Sequence, residues 1–298
     1  MSIKVVNVSK HYNNQVAVNN MNFSVNKGEI VGFLGPNGAG KSSMLKMLTG
    51  FIAPTEGELF ICDQLVNTES ILTKAKIGYL PEHNPLYKEM YVREYLSFIA
   101  NVHGVTKDAI ASVINQTGLL LEANKKISEL SKGYQQRVGL AAAIIHKPEV
   151  LILDEPTTGL DPNQLIEIRS LIKEIGKDKT VLFSTHIMQE VEAVCDRVII
   201  INKGNLVVDS SLAELKSGKK QTILVTFDFK IEEQFVSKIK GLVSYNNYHD
   251  NEWELTFEAE EDKRSSVFDF AQENGLKILQ LNTQNKTLES LFKEATKA

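Results

Sequence analysis

The chain of 298 residues carries 43% hydrophobic and 23% charged side chains, a globular balance that excludes collagen, coiled coil and disorder. At ~150 residues per domain the length predicts about two domains, each able to bury its own core. With 33 basic and 37 acidic residues the net charge is −4, which excludes the long-range attraction used by bulk nucleic-acid binders and polybasic membrane binders, so no nucleic acid is expected as a partner.

The N-terminal run from Met1 to Asn7 lacks the apolar core of a signal peptide, and no apolar run reaches the ~18 residues that span a bilayer, so any membrane role is peripheral. Residues 29–34 read as a buried strand, Gly35-Pro36-Asn37-Gly38-Ala39-Gly40 interrupts it, and Lys41 to Leu48 has helical spacing. Helical periodicity dominates 84–147, which predicts an inserted helical lobe. Within it Leu130-Ser131-Lys132-Gly133-Tyr134-Gln135-Gln136-Arg137 precedes an apolar helix over 138–145, with Ser131 placed as an N-cap. A second strand, 150–153, ends in Asp154-Glu155-Pro156, and a third, 180–183, ends in Ser184-Thr185-His186. Between them a helix opens at Asp161-Pro162, an N-cap followed by proline at the first helical position. Strands alternating with helices predict an α/β parallel sheet with its chemistry at the carboxyl ends of the strands.

After Asp209 the composition turns polar, and 216–221 reads as a linker. Beyond it Ile223, Val225, Phe227 and Phe229 alternate with polar or outward positions, as do Trp253, Leu255 and Phe257; both runs predict strands. With helical stretches at 232–240, 264–274 and 288–295, the segment 222–298 is expected to form a small α+β accessory domain of βαββαβ type. Cys62 and Cys195 stand far apart without a CxxC or His/Cys cluster, so no disulfide framework or zinc site is predicted and a reduced cytoplasmic setting fits.

Gly35-x4-Gly40-Lys41-Ser42 has the pattern of a phosphate-binding loop. Its glycines let backbone N–H groups turn inward onto phosphate oxygens, and the following helix points its positive end at them. Lys41 is placed for the β- and γ-phosphates, and the Ser42 hydroxyl for Mg²⁺. Asp154, behind an apolar strand, is placed to orient the metal, and Glu155 to polarise a water for in-line attack. Asp-Glu-Pro alone is also ordinary turn chemistry; joined to the glycine loop it reads as catalytic. Ser131 and the Gly133 N–H, at a helix start, form a second candidate anion site.

These motifs, in this order and spacing over 1–215, resemble the ATP-binding subunit of an ABC transporter. The resemblance implies a P-loop NTPase fold with an inserted helical subdomain, ATP as substrate and Mg²⁺ as cofactor. It implies that Gly35, Pro36, Asn37, Gly38, Ala39, Gly40, Lys41, Ser42 and Ser43 bind ATP, that Tyr12 stacks on adenine, and that His186 touches the γ-phosphate beside Glu155. It further implies that Ser131, Gly133 and Asp161 act across a head-to-tail dimer, homomeric or heteromeric, with a membrane permease as partner on the inner face of the cell membrane.

Two departures stand out. Lys132 and Tyr134 replace a glycine and a glutamine of the usual signature, which is expected to set a cation near the partner's triphosphate. Glu82, in Ile77-Gly78-Tyr79-Leu80-Pro81-Glu82, replaces a glutamine and is a further candidate for Mg²⁺. In the segment that follows, Leu86, Tyr87, Met90 and Tyr91 are candidates for a permease contact or for packing of the lobe itself. The wording of 83–96 is most similar to gliding-motility-associated ATP-binding subunits. A soluble ABC ATPase acting on ribosomes or nucleic acid is the alternative function, and a GTPase is suggested only by Asn202-Lys203-Gly204-Asn205, which lacks the guanine-reading aspartate.

Overall fold

Continuous Val/Ile/Leu runs give the strands at the centre of the molecule, because a parallel strand covered on both faces has no polar side to show. The computed structural model describes residues 1–13, 15–216, 220–259, 261–285 and 288–296. They fall into two units, Met1–Asp209 and Ser210–Ala298.

In chain order the first unit holds β1 (Ile3–Tyr12), β2 (Gln15–Val25), β3 (Ile30–Leu34), α1 (Lys41–Leu48), β4 (Glu56–Ile61), β5 (Gln64–Leu65), α2 (Ile71–Ala75) and β6 (Ile77–Leu80). Then follow α3 (Val92–Val102), α4 (Lys107–Gln116), α5 (Lys132–Ile144), β7 (Val150–Asp154), α6 (Pro162–Gly176), β8 (Thr180–Thr185), α7 (Met188–Val194), β9 (Arg197–Asn202) and β10 (Asn205–Ser211). Six strands make one sheet in the order β10-β9-β3-β8-β7-β6. The β9–β3, β3–β8, β8–β7 and β7–β6 pairs are parallel, and β3, β7 and β8 are buried at every position. Register pairs Leu34 with Thr185 and Asp154 with Ser184, so the three strands reach their carboxyl ends level with one another. The glycine loop, Asp154-Glu155 and His186 therefore leave the sheet at one edge.

The helical lobe is built from α3, α4 and α5. Ser131 caps α5, accepting from the Tyr134 N–H at 3.4 Å, so the helix starts at Lys132, ahead of the apolar run that signals it in sequence. Glycine allows close approach where α5 crosses β6: a Cβ on Gly78 would strike the Ala143 carbonyl.

A second sheet of the first unit, β2-β1-β4-β5, is antiparallel and packs Ile3, Val5, Val8, Met21 and Leu59 into the same core as Met44, Leu45 and Leu48 of α1.

The second unit continues with α8 (Leu212–Lys216), β11 (Lys220–Phe227), α9 (Glu233–Val236), β12 (Leu242–His249), β13 (Glu252–Glu258), α10 (Arg264–Glu273), β14 (Ile278–Asn285) and α11 (Leu288–Thr296). Its sheet has the order β12-β13-β11-β14, antiparallel throughout, which is the βαββαβ arrangement. Ile223, Val225, Phe227, Trp253, Leu255 and Phe257 share one face and pack with Val267 and Phe270 of α10. The division falls after Asp209, ahead of the expected 215. Of the expected linker 216–221, Lys216 ends α8, residues 220 and 221 open β11, and 217–219 lie outside the described residues. Phe229 lies past the end of β11 and is exposed, and α9 is shorter than the 232–240 helix the sequence suggests.

Candidate nucleotide site

The turn after β3 is shaped by two glycines in the left-handed region, Gly38 at φ 80° and Gly40 at φ 105°. Gly40 is the N-cap of α1, and a Cβ there would collide with the Ala17 carbonyl on β2. The loop is thus wedged against a strand, with the amino end of α1 facing a cavity of about 540 Å³. Asn37, Gly38, Gly40, Lys41, Ser42 and Ser43 line it. Gly35, Pro36 and Ala39 shape the loop from behind: the Gly35 and Pro36 carbonyls accept from Lys41 Nζ at 2.7 and 3.3 Å, and the Ala39 carbonyl accepts from the Gly204 N–H at 3.0 Å.

Glu155 stands opposite. Its backbone is left-handed at φ 49°, and its N–H donates to the Ser184 carbonyl at 3.2 Å and Ser184 Oγ at 3.1 Å. The Ser184 hydroxyl in turn donates to Asp154 Oδ1 at 2.6 Å, so one serine of β8 fixes both acids at the end of β7. The buried Glu155 carboxylate lies 3.5 Å from Lys41 Nζ, 2.8 Å from His186 Nδ1 and 3.3 Å from the Thr158 hydroxyl, which donates to it. The carboxylate is thus held at the cavity wall by an ammonium, an imidazole nitrogen and a hydroxyl, with His186 partly open to solvent. Tyr12, Gln15 and Ala17 line the same cavity, with Lys10 Nζ 5.2 Å from the Tyr12 ring centre. Glu82 also reaches its wall. Burial, followed by the Asp154 and Glu82 charges, pushes the Tyr79 hydroxyl up to about 12.

Ser131, Gly133 and Asp161 lie elsewhere, in a separate cavity of about 390 Å³ lined also by Tyr134, Arg137, Asn163 and Gln164. The two cavities share no lining residue. Asp161 caps α6, accepting from the Gln164 N–H at 2.9 Å. Tyr134 is exposed beneath the Arg137 guanidinium, 5.6 Å from its ring centre. Lys132 reaches across to Gly159 of its own chain, the loop that leads from Glu155 to Asp161. Asn202-Lys203-Gly204-Asn205 is a tight turn with φ 47° at Lys203 and 79° at Gly204, packed on Ala17 and Ala39. It supports the phosphate loop from below.

Comparison with known proteins agrees with this geometry. The family model for ABC transporters matches residues 18–158. A linearmycin resistance ATP-binding protein, LnrL of Bacillus subtilis (strain 168), is 33% identical over 305 residues, covering 99% of this chain and 98% of that protein. The chain belongs to the ABC transporter ATP-binding family. A Nod factor export ATP-binding protein I of Burkholderia orbicola (strain AU 1054) is 37% identical over 213 residues, 69% of each chain. Among solved structures, the dimeric ATP-binding cassette MJ0796 in a post-hydrolysis state bound to ADP and Pi superposes with a TM-score of 0.65 at 28% identity, over 70% of this chain and 98% of that one. The chain is accordingly an ATP hydrolase of the ABC type.

As an ABC subunit it shows no helix, among the described residues, that is long and apolar enough to cross a membrane. Of the four candidate contact residues, Tyr87 and Tyr91 are exposed while Leu86 and Met90 are half-buried; Tyr87 also packs edge-on against Tyr95 and Phe98 of α3. Gln15 and Ala17 are the cavity-lining residues that sequence reasoning misses. No local motif marks them, because they arrive on β2, the strand against which the loop is wedged at Gly40.

Proposed function

We propose that this subunit binds Mg-ATP at the phosphate loop, pairs head to tail with an identical or related subunit, and drives a separate membrane permease outward. Two unshared cavities on one chain carry the reading, one with a phosphate loop and acid, the other with a capped helix start and Asp161. A nucleotide held in the first needs a donor set for the exposed side of its triphosphate, and the second, on another copy, offers Ser131, Gly133 and Asp161. Tyr12 supplies a ring for the base, at ~1–3 kcal/mol per stacked base. Lys41 and the loop N–H groups hold the β- and γ-phosphates, His186 steers the γ-phosphate, and Glu155 accepts the proton of the attacking water.

Ser42, Asp154 and Glu82 are hard oxygen donors of the kind magnesium takes alongside substrate phosphates, so the residues present fit the ion. Bound there, it would neutralise charge building on the phosphate oxygens. The resistance and export names of relatives support the outward direction and a cytoplasmic position against the inner face of the membrane. The wording of 83–96 supports a gliding-motility complex as a narrower second reading.

Purified chain is expected to hydrolyse ATP in Mg²⁺, to lose hydrolysis in Lys41→Ala, and to co-purify with an integral membrane protein. Undiminished hydrolysis in Lys41→Ala, or recovery with ribosomes instead, overturns the proposal.

A further inference from the structure

Glu190 is a carboxylate with no solvent exposure, on α7 four residues after His186, and the nucleotide chemistry proposed above does not use it. Burying such a group is costly unless something is gained by fixing it. Its Oε2 accepts from the Thr185 hydroxyl at 2.6 Å, and the same hydroxyl oxygen accepts from the Ile187 N–H at 3.0 Å. The two bonds close a ring around His186, the one residue between Thr185 and Ile187. They hold the backbone on both sides of His186, whose Nδ1 lies 2.8 Å from Glu155 Oε2. The other oxygen of Glu190 faces Arg169 Nη2 at 3.7 Å, and Glu190 Oε1 and Arg169 Nε have no hydrogen-bond partner. Arg169 belongs to α6, the helix that Asp161 caps at the rim of the second cavity.

We infer that Thr185 and Glu190 are positioning residues for His186, and that the loose Glu190–Arg169 contact ties that histidine to the helix carrying Asp161. The inference rests on the proposed role of His186 at the γ-phosphate. A hydroxyl that both donates and accepts cannot be replaced by a methyl of the same shape: Val at 185 keeps the packing and frees the Ile187 N–H. Serine keeps both bonds.

The test uses the full chain with Thr185→Val, Thr185→Ser and His186→Ala, reading steady-state hydrolysis and the ¹⁵N resonances of the His186 ring. Thr185→Val is expected to lower kcat about 10- to 100-fold with KM for ATP unchanged, the scale of a reacting group misplaced by about an ångström. Its His186 Nδ1 signal is expected to move to the position of a water-exposed imidazole. Thr185→Ser is expected to match the wild type in both. Should Thr185→Val not fold, Thr185→Ala carries the same expectation. A folded Thr185→Val with wild-type kcat and an unmoved Nδ1 signal overturns the inference, as does a fall in kcat no larger than the loss of folded fraction with the Nδ1 signal of the folded protein unmoved. Wild-type hydrolysis in His186→Ala would instead overturn the role of His186, leaving the Thr185 result to be judged on its spectrum alone.

Discussion

Lys41 and Glu155 face each other at 3.5 Å with both side chains almost fully buried, so each is the other's answer to burial. Removing one leaves an uncompensated charge, a loss of about 3–5 kcal/mol in comparable pairs. Here the Gly35 and Pro36 carbonyls and the His186 ring share the load, which puts Lys41→Ala nearer about 3 kcal/mol in chemical denaturation. The same variant is expected to lose binding of a fluorescent ATP analogue. Glu155→Gln is expected to keep that binding while hydrolysis drops about 10²- to 10⁴-fold, the usual share of a general base; a fall of less than about tenfold would remove Glu155 from that role. Glu82 stands exposed on the cavity wall, so Glu82→Gln, which keeps an oxygen donor, is expected to preserve hydrolysis. A folded, ATP-binding but inactive Glu82→Gln would show that the charge itself is required. Residues of this kind were legible because contiguous motifs carry them. Ser184 was legible only as part of Ser-Thr-His; its bond to Asp154 depends on β7 and β8 lying in register, which no local pattern states.

At the scale of elements, the ends of α3 and α5 meet through two imidazoles. His103 and His146 stack with ring centres 4.0 Å apart and planes 4° from parallel, and a His146 ring nitrogen bonds the Ile77 carbonyl of β6 at 3.0 Å. Burial, then the neighbouring His103, pushes His146 down to about 4, and burial lowers His103 too. The unfolded chain, with histidine near 6.5, binds more protons than the folded one between about pH 4 and 6.5. Stability therefore rises with pH across that window: the contribution is complete above about 6.5 and is lost as pH falls toward 4. Calorimetry at constant ionic strength should show a midpoint that drops from pH 7 to 4.5, and a shallower drop in His146→Gln. Equal slopes in the two proteins would contradict this.

The central strands and the helical lobe were legible because their periods are unbroken. The sheet of β1, β2, β4 and β5 was not, since register shifts after Val5, Val8 and Lys10, with left-handed Asn7 and Asn20, spoil the alternation that would announce it. The boundary of the second unit falls ahead of the one composition suggests, because α8 and β11 take in the two described ends of the polar stretch, Lys216 and residues 220–221.

For the whole molecule, the two units have separate cores, and Trp253, the single tryptophan of the sequence, is buried in the second. Its fluorescence therefore reports unfolding of that unit alone, while the nucleotide acts on the first. Mg-ATP at 100 times its Kd is expected to stabilise the first unit by about 2.7 kcal/mol, read by circular dichroism in Glu155→Gln. The similarity to LnrL runs through both units, so the second belongs to the architecture of these relatives and not to this chain alone.

On the proposed reading, each chain, with a phosphate loop in one cavity and Ser131, Gly133 and Asp161 in another, supplies half of two composite sites. Sedimentation of Glu155→Gln with and without saturating Mg-ATP tests this most directly. A monomer that becomes a dimer on adding nucleotide, and fails to do so when Ser131→Arg is combined with it, is the predicted result. A chain that binds Mg-ATP stoichiometrically yet stays monomeric, alone and with its sister subunit, would contradict it.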